Sequence, residues 1–175
     1  MTEKQQILLQ SAQQSFCDLG YAGASTAKIG RLAGTSEALI FRHFGSKRDL
    51  ARLVVKEGQK CRASMSYGTL NHPDPSEVLR GFIGLHAMFL AGKDPFVPWI
   101  AGIRIVNENP DFFEEDGFIV ERLTWAVSSV GHAKAGAVTR IIISTLDQAL
   151  LYAFKGQEEQ AEALIVGLRE IILNE

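Results

Sequence analysis

Cysteine is almost absent: Cys17 and Cys61 stand far apart and match no metal-binding spacing, which argues against a zinc module or a disulfide framework. They read as free thiols of a cytoplasmic protein. Histidine is nearly as sparse, and His43, His72, His86 and His132 are scattered along the chain. No P-loop, G-x-S-x-G, H-E-x-x-H or E-x-x-H pattern occurs, so the residues give no support to an enzyme or to a bound cofactor. No run of about 18 uncharged apolar residues suggests a membrane span, and the opening MTEKQQILLQSAQQ lacks the apolar centre of a signal peptide. A membrane is therefore not an expected partner. Strong net charge is missing too. The formal total is −2, but residues 1–60 hold nine Lys/Arg against five acids, so this part is +4 and the remainder −6. A basic head on an acidic body suits a chain that presents one end to phosphates.

What the sequence does contain is helical periodicity. Thr2 and Gln5 fit a capping box opening a first helix, with Leu8, Ala12, Phe16 and Leu19 as its apolar stripe, Cys17 off that stripe and Gly20 as the stop. Ser46 and Asp49 form a second box ahead of a long helix carrying Leu50, Leu53 and Val54. Tyr67–Pro75 is the clearest loop, followed by a helix from Ser76 that is broken at Lys93-Asp94-Pro95. A further helix is expected over 95–107, and Asn109 is expected to cap another, with Pro110 first and Asp111, Glu114 and Glu115 in its early turns. Val138–Lys155 is apolar nearly all round and Glu158–Leu173 has a sharper apolar face. Two such helices need covering, and pairing with the same two helices of a second subunit as a four-helix bundle does this. Ile141, Gln148, Leu151, Tyr152, Leu164, Leu168, Ile171 and Ile172 are the expected homodimer contacts. The chain reads as all-α.

The stretch from Ser25 to Lys47, STAKIGRLAGTSEALIFRHFGSK, organises the rest. Ser25 is placed to cap a short helix whose apolar contacts are Ile29 and Leu32. Gly34 supplies a left-handed turn, and Ser36 starts a second short helix with Ile40 and Phe44 on its inner side. Helix, glycine turn, helix is the helix-turn-helix pattern, whose second helix enters the DNA major groove.

With Ile7–Leu8, Ala12, Phe16, Gly20–Tyr21, Ser25, Ile29, Ala33–Gly34, Ser36, Phe41, His43–Phe44, Lys47 and Leu50 in this order, the first 50–55 residues resemble the head of TetR-family transcriptional regulators. The resemblance implies a three-helix DNA-binding head over residues 1–47, joined by a long helix to a helical ligand-binding and dimerisation domain over residues 48–175. It further implies a homodimeric repressor that leaves a double-stranded operator when a small molecule binds. Two-fold symmetry makes that operator roughly palindromic. Thr26 and Lys47 would hold phosphates. His43 stands where members commonly touch the DNA backbone. Ser36, Glu37, Ala38, Leu39 and Arg42, with Lys28, would set sequence choice, Glu37 accepting from cytosine and Arg42 reaching guanine or phosphate. Phe41 replaces the usual Tyr, Ala27 is short, and Leu39 is unusually apolar. A helical ligand- or partner-binding module whose head has lost operator affinity is the alternative reading. Aromatics on the middle helices suit a mostly apolar effector pocket. Its expected contacts are His86, Phe89, Phe96, Trp99, Ile103, Arg104, Phe118, Trp125 and Gln148, although for His86 on so apolar a helix a hydrogen-bonded core histidine is the commoner outcome. Asp147, if buried, needs Arg104 or Arg140.

Overall fold

A computed structural model describes residues 1–91 and 96–174, apart from the side chains of 89–91. Among the described residues the chain is helical: α1 (Glu3–Gly23), α2 (Thr26–Leu32), α3 (Glu37–Phe44), α4 (Lys47–Leu70), α5 (Pro75–Ala91), α6 (Val97–Glu108), a 3-10 turn (Pro110–Phe112), α7 (Gly117–Ser129), α8 (Ala135–Phe154) and α9 (Glu158–Leu173). The expected break at 93–95 lies outside the described residues. Two compact units form, Met1–Arg62 with Phe96–Glu114, and Ala63–Pro95 with Glu115–Glu175.

The first unit is built on α1. Its capping box is present, Thr2 Oγ1 accepting from the Gln5 amide at 3.3 Å and Gln5 Oε1 from the Thr2 amide at 2.8 Å. Gly20 has φ 71°, a value that favours glycine, and interrupts the helix while a last turn runs on to Gly23. The apolar stripe is wider than its spacing suggests. Cys17 is fully buried and Leu19 is 43% exposed, because α6 lies along α1 and covers the flank that carries Cys17. Leu32 is likewise exposed, leaving Ile29 as the buried contact of α2. Two charged side chains of α6 bond to α1: Arg104 donates to the Cys17 carbonyl, and Glu108 accepts from the Ala22 amide at 2.8 Å.

The helix expected from Asn109 does not form. Asn109 makes no side-chain cap, and only the 3-10 turn follows, with Phe112 buried against Tyr21 at a ring separation of 5.4 Å. The Asp116 side chain supplies the cap instead, accepting from the Ile119 amide and starting α7 eight residues later than Asn109. The 3-10 turn lets Phe112 pack on Tyr21, and extended backbone at Phe113 (φ −68°, ψ 126°) stops a helix from continuing there.

The second unit surrounds α8. Its core joins Leu70, Val78, Phe82, Ile83, Ile119, Leu123, Ile142, Leu146, Ile165 and Leu168, with α9 packed on α5 and α8 and α7 packed on both as well. Helix α4 continues to Leu70, so only 71–74 remain of the loop expected from Tyr67. Leu70 is buried, and Arg122 holds the helix end by donating from Nε to the Leu70 carbonyl at 2.7 Å. By length and composition α8 could cross a membrane. It nevertheless buries Ile142, Leu146 and Ala149 within this unit, and its Arg140 pairs with Glu115 at 3.0 Å. Arg104 and Arg140 thus have partners other than Asp147.

Candidate nucleic-acid interface

The α2–turn–α3 geometry follows from local rules. Ser25 Oγ accepts from the Lys28 amide at 3.2 Å and starts α2. Gly34, at φ 65°, makes the turn, and the Thr35 amide closes it on the Gly30 carbonyl at 2.8 Å. Gly30 also brings the helices together, since a Cβ there would stand 3.1 Å from the backbone of Ser36 and Glu37. Ile29 and Ile40 are fully buried beneath this crossing. Ser36 precedes α3 but its side chain makes no cap bond.

On the outer side, Glu37, Ala38, Phe41 and Arg42 are exposed, and Leu39 and His43 half-buried. Lys28, Arg31 and Arg42 are exposed without an ion-pair partner among the described residues. That is the charge state a phosphate-facing surface needs. Phe41, 47% exposed, puts a ring rather than a hydroxyl on this surface. Lys47 opens α4 half-buried, its ammonium 4.5 Å from the centre of the Tyr21 ring. Burial lowers its pKa from the ordinary lysine value, and the charge of Glu108 pulls the other way. Asp49, with Ser46 as hydrogen-bond donor at 2.5 Å, is held below the usual carboxylate range chiefly by that bond and then by Arg52 and Arg48. The Asp49 amide in turn donates to Ser46 at 3.1 Å, which fixes the start of α4.

Thr26 is only 8% exposed, and its hydroxyl donates to Oε1 of Glu37. Two residues assigned separate roles by sequence reading therefore form one unit. Arg31 was missed, although its position in the last turn of α2 marks it as a cation on the same surface.

The expected ligand contacts fall in both units. Trp99 and Ile103 are buried on α6, Phe96 is half-buried before it, and Arg104 serves the Cys17 carbonyl. In the second unit His86 is buried, with Nδ1 2.9 Å from the Phe82 carbonyl, and Gln148 is half-buried on α8. Phe118 stacks on Tyr67 at 6.0 Å, and Trp125 lies under the Arg122 guanidinium at 4.2 Å. The Phe89 side chain lies outside the described residues. Within the first unit a groove of about 300 Å³ is lined by Arg52, Lys56, Asp111, Phe112 and Glu114, none of them an expected contact. Of the expected dimer contacts, Ile141 and Ile171 are 60% and 72% exposed, Gln148, Tyr152 and Leu164 half-buried, Leu151 buried, and Leu168 and Ile172 part of the unit's own core.

Residues 8–54 match the family model described as bacterial regulatory proteins, tetR family. The repressor AcnR of Corynebacterium glutamicum, named as an HTH-type transcriptional repressor, is 29% identical over 82 residues, which are 47% of this chain and 42% of that relative. The chain thus spans less than half the length of this relative. A TetR-family transcriptional regulator from Streptomyces coelicolor has the same fold over 98% of this chain and 95% of its own, with TM-score 0.76 at 19% identity. AibR, solved with isovaleryl coenzyme A and operator DNA, matches over 95% and 98% with TM-score 0.70 at 16% identity. Residues 8–54 are thus similar in sequence to the head of the tetR family of bacterial regulatory proteins, and the helical fold is shared with solved regulators of that family.

Proposed function

We propose that the protein is a ligand-responsive, homodimeric repressor that acts in the cytoplasm. Its head over residues 1–47 reads a palindromic operator, and residues 48–175 dimerise and take a small effector. The observation that carries the DNA-binding part is the surface of α2 and α3, where Lys28, Arg31 and Arg42 stand exposed with no anionic partner among the described residues. Arg42 and Lys28 are the long side chains for base edges or phosphates. Ser25, Ser36, Ala38, Leu39, Phe41 and His43 shape the same face, and Lys47 adds charge at the start of α4. Two-fold pairing through Ile141, Gln148, Tyr152, Leu164 and Ile171 would cover the apolar outer faces of α8 and α9 and set the spacing of the two heads. The effector is mostly apolar, in keeping with the aromatic content of the middle helices; AibR, of the same fold, was solved with a small molecule, isovaleryl coenzyme A, together with operator DNA.

Selection from a random duplex library, followed by binding at several salt concentrations, tests the reading. If Arg42 holds a phosphate, the Arg42→Ala dimer loses two such contacts and the slope of log affinity against log salt falls by about 2; if it reads a base, preference relaxes at one base pair of each half-site. Recovery of no preferred sequence, even at low salt, would refute DNA recognition. A thermal-shift screen addresses the effector: stabilisation by charged metabolites alone, and by no amphipathic compound, would refute an apolar ligand.

A further inference from the structure

Glu37 is the lone carboxylate among Lys28, Arg31, Arg42, Lys47 and Arg48 in residues 24–48. It is also the first residue of α3, exposed, on the helix that faces DNA in the function proposed above, and its role as a base reader rests on that function. A carboxylate brought up to phosphates weakens binding, and the dimer would bring two. Such a group is compatible with tight binding where it accepts from a base amine. The structure shows a device that aims it. The Thr26 hydroxyl donates to Oε1 of Glu37 from a nearly buried position, and the close backbone approach at Gly30 fixes the start of α3 against α2. Oε2 is left with no protein partner among the described residues.

We propose that Glu37, oriented by Thr26, sets sequence choice at one base pair of each operator half-site by accepting from an exocyclic amine, cytosine N4 first, and that Thr26 is a positioning residue rather than a phosphate ligand. Chemistry supports the choice of base. In the major groove cytosine offers the N4 amine, whereas guanine offers O6 and N7 and thymine offers O4, all acceptors that repel a carboxylate. Adenine N6 is the second amine available, flanked by the acceptor N7. The division of labour within the pair follows from burial. A hydroxyl already committed to a carboxylate has given its one proton and has little to offer a phosphate. Its contribution is to fix the rotamers of a flexible glutamate before DNA arrives, which reduces the ordering penalty on binding.

The test starts from the duplex that the full-length wild-type protein selects from a random library, together with its single-base variants. Glu37→Gln retains shape but carries an amide that both donates and accepts. It should lose discrimination at one base pair per half-site by roughly tenfold or more, while binding non-specific DNA more tightly than wild type. Thr26→Val should lose discrimination at that same pair with an unchanged salt slope, and Thr26→Ser should retain it. Circular dichroism establishes folding, and if Thr26→Val fails to fold, the Glu37→Gln and Thr26→Ser results carry the decision. Unaltered base preference in Glu37→Gln overturns the proposal. So does a Thr26→Val protein that weakens uniformly on all sequences with its base preference intact, since that is the mark of a phosphate ligand. Failure of the wild type to select any sequence is a different result, and removes the DNA-binding reading itself.

Discussion

Gly58 lies at the middle of α4 where α6 crosses it, and Gly58→Ala makes a sharp test of that packing. A Cβ at this position would stand 2.5 Å from the Pro98 carbonyl oxygen and 3.2 Å from both the Pro98 carbonyl carbon and Trp99 Cα. These are backbone atoms, which cannot rotate aside, so α6 must shift as a whole or α4 must bend. Overpacking of this type costs about 1–3 kcal/mol. Alanine in a helix interior returns about 1 kcal/mol relative to glycine. The expected net effect is a loss of up to about 2 kcal/mol, or a Tm lower by up to about 8 °C for a chain of this size. Gly68 is the internal control. It lies in the same helix, is exposed, and has nothing within 4 Å of its would-be Cβ, so Gly68→Ala should gain about 1 kcal/mol from propensity alone. Differential scanning calorimetry of the two variants beside the wild type therefore gives shifts of opposite sign. A Gly58→Ala protein as stable as Gly68→Ala would show that the α4–α6 crossing is loose and that the steric reasoning is wrong.

Other consequences concern strain, titration and a helix end. Lys134 precedes α8 in a left-handed conformation at φ 56°, where a side chain costs about 1–2 kcal/mol, so Lys134→Gly should be neutral to stabilising in thermal unfolding despite glycine's entropy; a clear loss would refute strain at that position. Burial pushes the Cys17 thiol up to about 12, with the charge of Asp18 adding and that of Arg104 opposing. The unfolded thiol releases its proton near pH 9 and the folded one does not, so this group's contribution declines between about pH 9 and 12, by up to about 1.4 kcal/mol per pH unit. Urea unfolding against pH should fall less steeply for Cys17→Ala than for wild type, and parallel profiles would contradict the burial. Cys61, half-buried, should react with a thiol reagent in the folded protein while Cys17 waits for unfolding. Arg122 bonds the Leu70 carbonyl at 2.7 Å and the His72 carbonyl at 3.2 Å, so Arg122→Met should lower stability by about 1.5–3 kcal/mol in chemical denaturation, and no change would show that water replaces both bonds.

The parts legible in the sequence were those governed by neighbours in the chain. The capping box at Thr2 and Gln5, the Ser25 cap, the Gly34 turn and the bounds of α9 rest on contacts within four or five residues, and each is present. What misled was the contest between local and distant forces. Asn109-Pro110 carries a sound helix-start signal, but burial of Phe112 beside Tyr21 decides against it. Leu19 fits a helical stripe, yet the flank of α1 actually covered is chosen by α6, about ninety residues away in sequence. At the candidate interface Lys28 and Arg42 could be named in advance, because charge and helix position suffice, and the same signal was available for Arg31. The Thr26–Glu37 bond could not, because it depends on how closely α2 and α3 approach at Gly30.

The same contrast explains why Arg104 looked like a ligand anchor. A charged residue on an apolar helix needs a partner, and spacing alone supplies none nearby. The partner is created by Gly20. Its φ of 71° breaks α1, leaving the preceding turn with a carbonyl end and the following turn with a free amide. A helix's carbonyl end favours a cation and free amides favour an anion. Arg104 and Glu108, one turn apart on α6, satisfy one each: the Cys17 carbonyl and the Ala22 amide, 87 and 86 residues away. Glu108 also fills the space where a Gly20 side chain would stand, its Oε1 lying well inside contact distance of the would-be Cβ. The glycine, the arginine and the glutamate are thus one construction. It ties α6 to the α1 end that carries Tyr21, and Tyr21 in turn supports Lys47. The position of a cation beside the α2–α3 surface therefore depends on residues that no local pattern connects to it.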